Sequence, residues 1–514
     1  MLKESILGKA YGVWLKSAVL ALLRRIWHAL GAAARGSRLL HILFGPDRAD
    51  EIYSRTLFAR AFRRFFDALL WLLRGLVSLS RGSVLRPLLG PAVRASRLFR
   101  YEVLASLFCA VMFVVPHEWW NNFHCVIAGV VFLIAYLFRC AAGRREFVYP
   151  DVMGPGFALF FIACLLSLVF TTDILDSTRI LVLFLGAFAM CWMVAVNFDE
   201  PRALRTLMGF LYFSMLIVSI YGIMQRVLGL VQVNRFITDM ELNKGVPGRI
   251  YSTLDNPNNL SGFIQLFLPM GAAFAAAREK GWKRRALGLG LLFPVVAMVM
   301  TYSRAGWLSV MLAAAVFVYY HEKKVVPALL VFLLLALPLL PQSVLTRLDT
   351  ITDTRDTSRS HRLAIWEGVL NLLTDKCYWI TGIGLGPNTF KNVYPDYAVY
   401  IGRYGAYQSQ MLYLELDLEL GILGFLSFFW MTFKFAGRLV RAIRAGGGGR
   451  ENRLALVAVL ASLMGLAVSS VAEYLWFYQR LIYGYFIYYG AGLAALRIAE
   501  RKEAGADAEG IPEG

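Results

Sequence analysis

The chain has 514 residues, 58% of them hydrophobic and 17% charged, with a mean hydropathy of +0.57 and a net charge of +19. Apolar runs of about 20 residues recur from residue 101 to 498, which excludes a soluble catalytic domain and also an outer-membrane barrel, whose strands alternate. Six cysteines with no Cys-x-x-Cys pair exclude a disulfide framework or a zinc site. The composition is that of an all-α polytopic membrane protein, because a helix satisfies its own backbone groups in lipid.

Residues 1–100 form the first predicted unit, a basic cytoplasmic or interfacial extension with 18 Lys and Arg against 5 Asp and Glu. In "TLFARAFRRFFDALLWLLRGLVS", Arg60, Arg63, Arg64, Asp67 and Arg74 fall near one helical stripe, and Phe, Leu and Trp71 cover the rest. Basic amphipathic helices of this kind suit an anionic membrane surface better than nucleic acid. No short apolar core followed by a small-residue cleavage site marks a signal peptide.

The second unit, residues 101–498, predicts twelve spans near 101–116, 122–139, 155–171, 178–198, 204–225, 259–276, 285–301, 304–320, 325–341, 408–433, 453–472 and 476–497. Every second connection is basic, which places those connections and both termini in the cytoplasm by the positive-inside rule. Two long connections, about 226–258 and 342–407, face the other way, and long loops are often functional. The second predicts an amphipathic helix, "SRSHRLAIWEGVLNLLTD", with Leu363, Trp366, Val369 and Leu370 on one face. Residues 499–514 end in "EAGADAEGIPEG", expected as a disordered cytoplasmic tail.

Unusual charges gather on the extracytoplasmic side. Arg304 sits in the turn "TYSRAGW" with Ser303, where the positive-inside rule gives no reason for a cation, and a guanidinium fork there can grip phosphate. Arg249 opens "GRIYSTLDNPNNLSGF", in which Asn256 or Asp255 can cap a helix starting at Pro257 and Asn258 follows. Arg362, beside His361, opens the amphipathic helix that leads to the turn Gly382-x-Gly384-x-Gly386, where backbone N–H groups can approach a ligand. In "QSQMLYLELDLELGILGF", Glu415, Asp417 and Glu419 enter a spanning helix, and carboxylates at membrane depth are functional candidates.

Taken in order, the "NPN" after the first long loop, the "SRAGW" turn, the "GIGLGPNTF" segment and the "LYLELDLELGILG" helix resemble the bacterial O-antigen ligase and O-antigen polymerase superfamily. The resemblance covers roughly residues 150–495 and implies a GT-C-like membrane glycosyltransferase with a large extracytoplasmic loop between helices nine and ten. It implies transfer of a glycan from a polyprenyl-diphosphate-linked oligosaccharide to a glycan or glycolipid acceptor, inverting, without metal or cofactor, at the outer face of the bacterial cytoplasmic membrane. Arg249, Arg304 and Arg362 would hold the diphosphate, with Glu415, Glu419 and Gln410 completing the catalytic set. Ser303, Asn256, Asn258, His361, Trp366 and Asp417 are expected to bind substrate. Ligases of this family usually carry a histidine where this chain has Ser409-Gln410-Met411, and glutamine takes no proton at neutral pH. A polymerase-type reaction is therefore favoured over ligation. The alternatives are a lipid-linked glycan transporter or flippase, a non-catalytic scaffold, or a peptidoglycan-type polymerase using Asp349, Asp353 or Asp356.

Overall fold

A computed structural model describes residues 48–79, 100–231, 248–278, 281–322, 357–399 and 406–509, together with residues 25, 36, 236 and 324. Every regular element among them is helical. In chain order they are α1 (Arg48–Ser54), α2 (Leu57–Leu79), α3 (Tyr101–Val114), α4 (Phe123–Ala141), α5 (Pro155–Leu166), α6 (Ile174–Asn197), α7 (Pro201–Val227) and α8 (Pro257–Ala277). They continue with α9 (Trp282–Gly290), α10 (Leu292–Met300), α11 (Arg304–Glu322), α12 (Thr357–Asp375), α13 (Tyr378–Thr381), α14 (Pro387–Val393), α15 (Leu412–Arg444), α16 (Arg450–Ser469) and α17 (Gln479–Glu509).

Among the described residues, seven helices are long and apolar enough to cross a membrane: α4, α6, α7, α8, α15, α16 and α17. Twelve were expected, and the differences have local causes. Segment 285–301 is two helices of 9 residues each, α9 and α10, parted at Gly290 and Leu291. Pro294 explains the break, since it lacks the N–H that would bond the Gly290 carbonyl and its ring crowds that position. Helix α5 stops at Leu166, five residues early, and the chain turns so that Thr172 N donates to the Ile383 carbonyl. Helix α11 carries Arg304 at one end and His321 and Glu322 at the other, which dilutes its apolar character. The span expected at 325–341 and the aspartates Asp349, Asp353 and Asp356 lie outside the described residues. The tail expected as disordered from residue 499 instead continues α17 to Glu509, because Ala, Glu, Arg and Lys are strong helix formers.

Helix α6 packs on α4 and α17, α16 on α8 and α11, α5 on α15, and α3 on α7. Close approach needs missing side chains. A Cβ at Gly490 would lie 2.5 Å from the Cys191 carbonyl oxygen, and one at Gly465 would lie 2.7 Å from that of Ser309. An aromatic cluster fills the centre, with Phe157, Phe160, Phe184, Phe188, Phe428, Trp476 and Phe486 in mutual contact. Large apolar side chains such as Ile127, Val131, Phe213, Leu426 and Phe433 point away from it, as in a bundle bathed in lipid.

The two ends of the bundle differ. At the basic end Asp199, 1% exposed, collects Arg145, Arg497 and Arg501, while Arg205 pairs with Glu451. The N-terminal block docks at this end. Helix α2 buries Ala59, Phe66 and Leu70 towards α4 and Trp192, and Lys434 Nζ meets Asp50 Oδ2 at 2.7 Å. Two members of its polar stripe are tied down, Arg63 to Asp151 and Asp67 to Tyr149. The opposite end holds the segments near residues 115–122, 248–256, 301–304, 357–399, 406–411 and 470–479, which bond to one another.

Candidate active site

Arg249 stands at the start of an irregular segment held to its neighbours by backbone and side-chain hydrogen bonds. Ser252 N and Oγ bond Gln225 and the Val218 carbonyl, and Thr253 Oγ1 bonds the Phe113 carbonyl. Ser252 and Asp255 take left-handed backbone angles, with φ of 53° and 65°, so the chain coils tightly before α8. Asn256 caps that helix by accepting from Asn258 N at 2.8 Å, and Pro257 occupies its first turn. The coil is bonded to the Arg304 turn. Ile250 N donates to the Met300 carbonyl at 3.3 Å, and Arg249 Nε donates to the Thr301 carbonyl at 2.7 Å. In that turn Ser303 is buried and its Oγ accepts from Gly306 N at 3.4 Å. Ser303 caps α11, and Arg304 heads that helix half-buried.

The third arginine arrives from α12. The buried stripe of that helix is Ile365, Val369, Leu372 and Leu373, whereas Leu363 and Leu370 face outward at 49% and 53% exposure. The face expected from the sequence is thus rotated by one position, and Trp366 lies at its edge with Nε1 donating to the Ser409 carbonyl at 2.9 Å. This rotation aims Arg362 at residues 410 and 473. Its Nε donates to Gln410 Oε1 at 3.1 Å and its Nη2 to Glu473 Oε1 at 2.9 Å. Gln410 itself has a left-handed backbone, φ 58°, which turns its amide back toward Arg362. His361 is half-buried beside Arg362. Burial, then the Arg362 charge, holds its imidazole below the ordinary pKa, so it is neutral at physiological pH.

Glu473 joins the parts. Its Oε2 accepts from Asn258 Nδ2 at 2.9 Å, while Asn258 Oδ1 accepts from Arg249 Nη2 at 2.6 Å. A continuous chain therefore runs Arg249–Asn258–Glu473–Arg362–Gln410, built from four separate segments. Glu473 lies in the short connection before α17 and was not singled out in the sequence. An acid at the otherwise apolar junction of two spans was the available signal.

Behind this chain, Glu415 and Glu419 are buried on one face of α15. Glu415 accepts from Ser409 N, and Glu419 accepts from Gly386 N at 3.0 Å and from Tyr474 Oη at 2.9 Å. Burial, then the two glutamates, pushes the Tyr474 phenol well above its ordinary pKa, which keeps its proton in place to donate. Asp417 points elsewhere. Two residues from Glu415 is 200° around a helix, and Asp417 does not line the cleft that its neighbours share.

The glycine-rich turn packs closely against α15, and its last glycine, Gly386, lines the cleft shared by Glu415 and Glu419. Helix α15 breaks at Gly421, φ 64° and ψ −172°, and the turn docks on the break through Ile383 N to the Leu418 carbonyl and Gly384 N to the Glu419 carbonyl. A Cβ at Gly382 would sit 2.6 Å from the Glu419 carbonyl oxygen, and one at Gly421 would sit 2.3 Å from that of Ile380. Asp176 fixes the far side of the turn by accepting from Asn388 N at 2.9 Å.

A cleft of about 290 Å³ opens among these groups, walled by Asn256, Asn258, Asn259, Glu415, Glu419 and Glu473 with the aromatic segment Tyr474–Tyr478. Two of the expected cations, Arg249 and Arg362, reach its wall through Asn258 and Glu473, and the turn that carries Arg304 is bonded to Arg249. The wall itself is carboxylate-rich: Glu415 and Glu419 were expected at the site, and Glu473 was not.

Residues 289–429 match the family model described as O-antigen ligase. No curated protein matches the chain significantly. The matched stretch contains Ser303, Arg304, His361, Arg362, Trp366, Gln410, Glu415, Asp417 and Glu419, and bears out the resemblance to the O-antigen ligase and polymerase superfamily. Arg249, Asn256, Asn258 and Glu473 lie outside it and reach the same cleft through the fold.

Proposed function

We propose that the chain is a membrane glycosyltransferase of cell-surface glycan assembly, moving an oligosaccharide from a polyprenyl-diphosphate carrier to a glycan or glycolipid acceptor. One observation carries the proposal. Glu473 gathers Arg362 directly and Arg249 through Asn258, beside a cleft at the end of the bundle away from the basic residues. By the positive-inside rule the basic end faces the cytoplasm, so the cleft opens on the far side of a bacterial inner membrane.

Chemically, the site must stabilise a diphosphate as the bond between its oxygen and the anomeric carbon breaks. Guanidinium groups aimed at that oxygen lower the barrier most where water is excluded. In the unliganded protein Glu473 is the counter-ion of Arg362, and the donor's diphosphate takes its place. Displaced from the guanidinium, Glu473 joins the cleft carboxylates Asp255, Glu415 and Glu419, any of which can take the acceptor hydroxyl's proton as its oxygen attacks the anomeric carbon. Gln410 keeps Arg362 aligned and stays out of proton transfer, since its carbonyl oxygen is occupied by Arg362 Nε. A polymerase-type reaction, with a glycan chain as acceptor, suits a site with no histidine at that position. The reaction as proposed is inverting and uses no metal.

The test is transfer in vitro, with purified protein in liposomes supplied with a polyprenyl-diphosphate oligosaccharide. Arg304→Ala, Arg249→Ala and Arg362→Ala should each abolish product while the protein remains folded and membrane-inserted. Undiminished product in all three variants overturns the proposal. Transport of intact donor without glycosidic bond formation would identify a flippase instead.

A further inference from the structure

A second and larger cavity, of about 620 Å³, opens at the basic end, where the N-terminal block meets the ends of α15 and α17. Asp50, Lys434, Arg438, Arg441, Glu500 and Glu503 line it. Beneath α2 lies an apolar slot of about 190 Å³, walled by Phe58, Phe62 and Phe66 on one side and Phe157, Phe161 and Phe188 on the other. The polar cavity and the aromatic slot share Tyr53 and Gly154 in their walls. A charged chamber opening beside a greasy one has the outline of a lipid with a charged head.

The charges select among such lipids. Lys434 pairs with Asp50 at 2.7 Å, Arg438 with Glu500 at 2.9 Å and Arg63 with Asp151 at 2.6 Å. Arg441 and Glu503 are exposed, line the same cavity and make no ion pair among the described residues. One cation and one carboxylate are therefore left to a ligand. A purely anionic head would satisfy Arg441 but face Glu503, with Asp50 and Glu500 close by, and like charges in a partly desolvated site are costly. A quaternary ammonium could not donate N–H to a carboxylate.

We propose that this cavity and slot bind a zwitterionic glycerophospholipid with a primary amine. Its phosphate lies on Arg441 and Arg438, its ammonium on Glu503, and an acyl chain lies in the slot beneath α2. The lipid then completes the joint between the N-terminal block and the bundle.

The protein is reconstituted in nanodiscs of equal palmitoyl-oleoyl phosphatidylethanolamine and phosphatidylglycerol, gently released, and its retained lipids counted by native mass spectrometry. A second set replaces phosphatidylethanolamine with phosphatidylcholine. The amine lipid should be retained at least about threefold over both others, the size of one exposed charge pair. Arg441→Ala with Glu503→Gln, both at exposed positions, should erase that preference. Ala158→Phe, which plugs the slot, should lose the adduct while the protein still elutes as one species. Equal retention of all three lipids, or enrichment of phosphatidylglycerol, in the unmutated protein overturns the proposal without recourse to any variant. So does a preference that survives the double substitution.

Discussion

Glu473 holds Arg362 through a 2.9 Å ion pair, with side chains 15% and 21% exposed, and uses its other oxygen to hold Asn258. A carboxylate is the only group that can accept from both at once. Glu473→Gln turns one acceptor into a donor and sets an amide against either the guanidinium or the Asn258 amide. A charge-assisted hydrogen bond contributes about 1.5–3 kcal/mol. Transfer should therefore fall roughly tenfold to a hundredfold, and melting temperature should fall as well, because the pair is largely buried and the variant leaves the Arg362 charge without its counter-ion. Unchanged kcat/KM would remove Glu473 from the site.

Asn258 is an adapter between unlike charges. Its Oδ1 faces Arg249, a pure donor, and its Nδ2 faces Glu473, a pure acceptor. Asn258→Asp keeps the shape and the first bond but opposes Glu473 with a second carboxylate. Asn258→Asp should lose more activity than Asn258→Ala, reversing the usual order for an isosteric change. The comparison is read from transfer rates of the two purified variants, and equal rates would show that the bond to Glu473 does not matter.

Gly421 has backbone angles that only glycine adopts readily, and its missing Cβ leaves room for the Ile380 carbonyl. Gly421→Ala combines about 1–3 kcal/mol of backbone strain with a steric clash, so the turn at 382–386 must undock. The melting temperature should drop, and activity should drop with it because Gly386 N and Glu419 separate. Gly75→Ala is the control. It lies on the exposed side of α2 with nothing within 4 Å of the added Cβ, and should stabilise by about 0.5–1 kcal/mol.

Arg249 and Arg362 stood out in the sequence because cations where the positive-inside rule expects none break a compositional pattern, and the fold links the two through Asn258 and Glu473. Glu473 was harder to read, since a lone acid at the junction of two apolar spans is a weak signal that gains meaning only from what the fold brings near it. The glycine-rich turn was ambiguous for a related reason. Glycine marks close approach, and the sequence does not say whether a ligand or a helix break approaches. Spans with steady hydrophobicity, such as α6 and α16, were found within a few residues. The span at 285–301 was divided by Gly290 and Pro294, whose effect depends on whether neighbouring helices supply replacement bonds. The buried stripe of α12 slipped because Leu363 and Leu370, apolar but outward-facing, are indistinguishable by pattern from core positions.

His361 provides a pH test with a definite sign. Burial and the adjacent Arg362 depress its pKa in the folded protein below that of the unfolded chain. As pH falls through the unfolded value of about 6.5, the unfolded state binds a proton that the folded state refuses, so stability declines until the lower folded pKa is passed. The contribution is fully present above the unfolded value and lost on acidification. Melting temperature followed from pH 8 downward should therefore fall more steeply through this window in the parent protein than in His361→Gln, which binds no proton in either state. Arg362 should also lose its alignment once the neighbouring imidazole of the folded protein becomes cationic, so transfer should decline only at the lower end of this window, as the folded pKa is passed, in the parent and more weakly in His361→Gln. Superimposable pH profiles for the two proteins would show that His361 is as protonatable in the fold as in the unfolded chain, contrary to its burial beside Arg362.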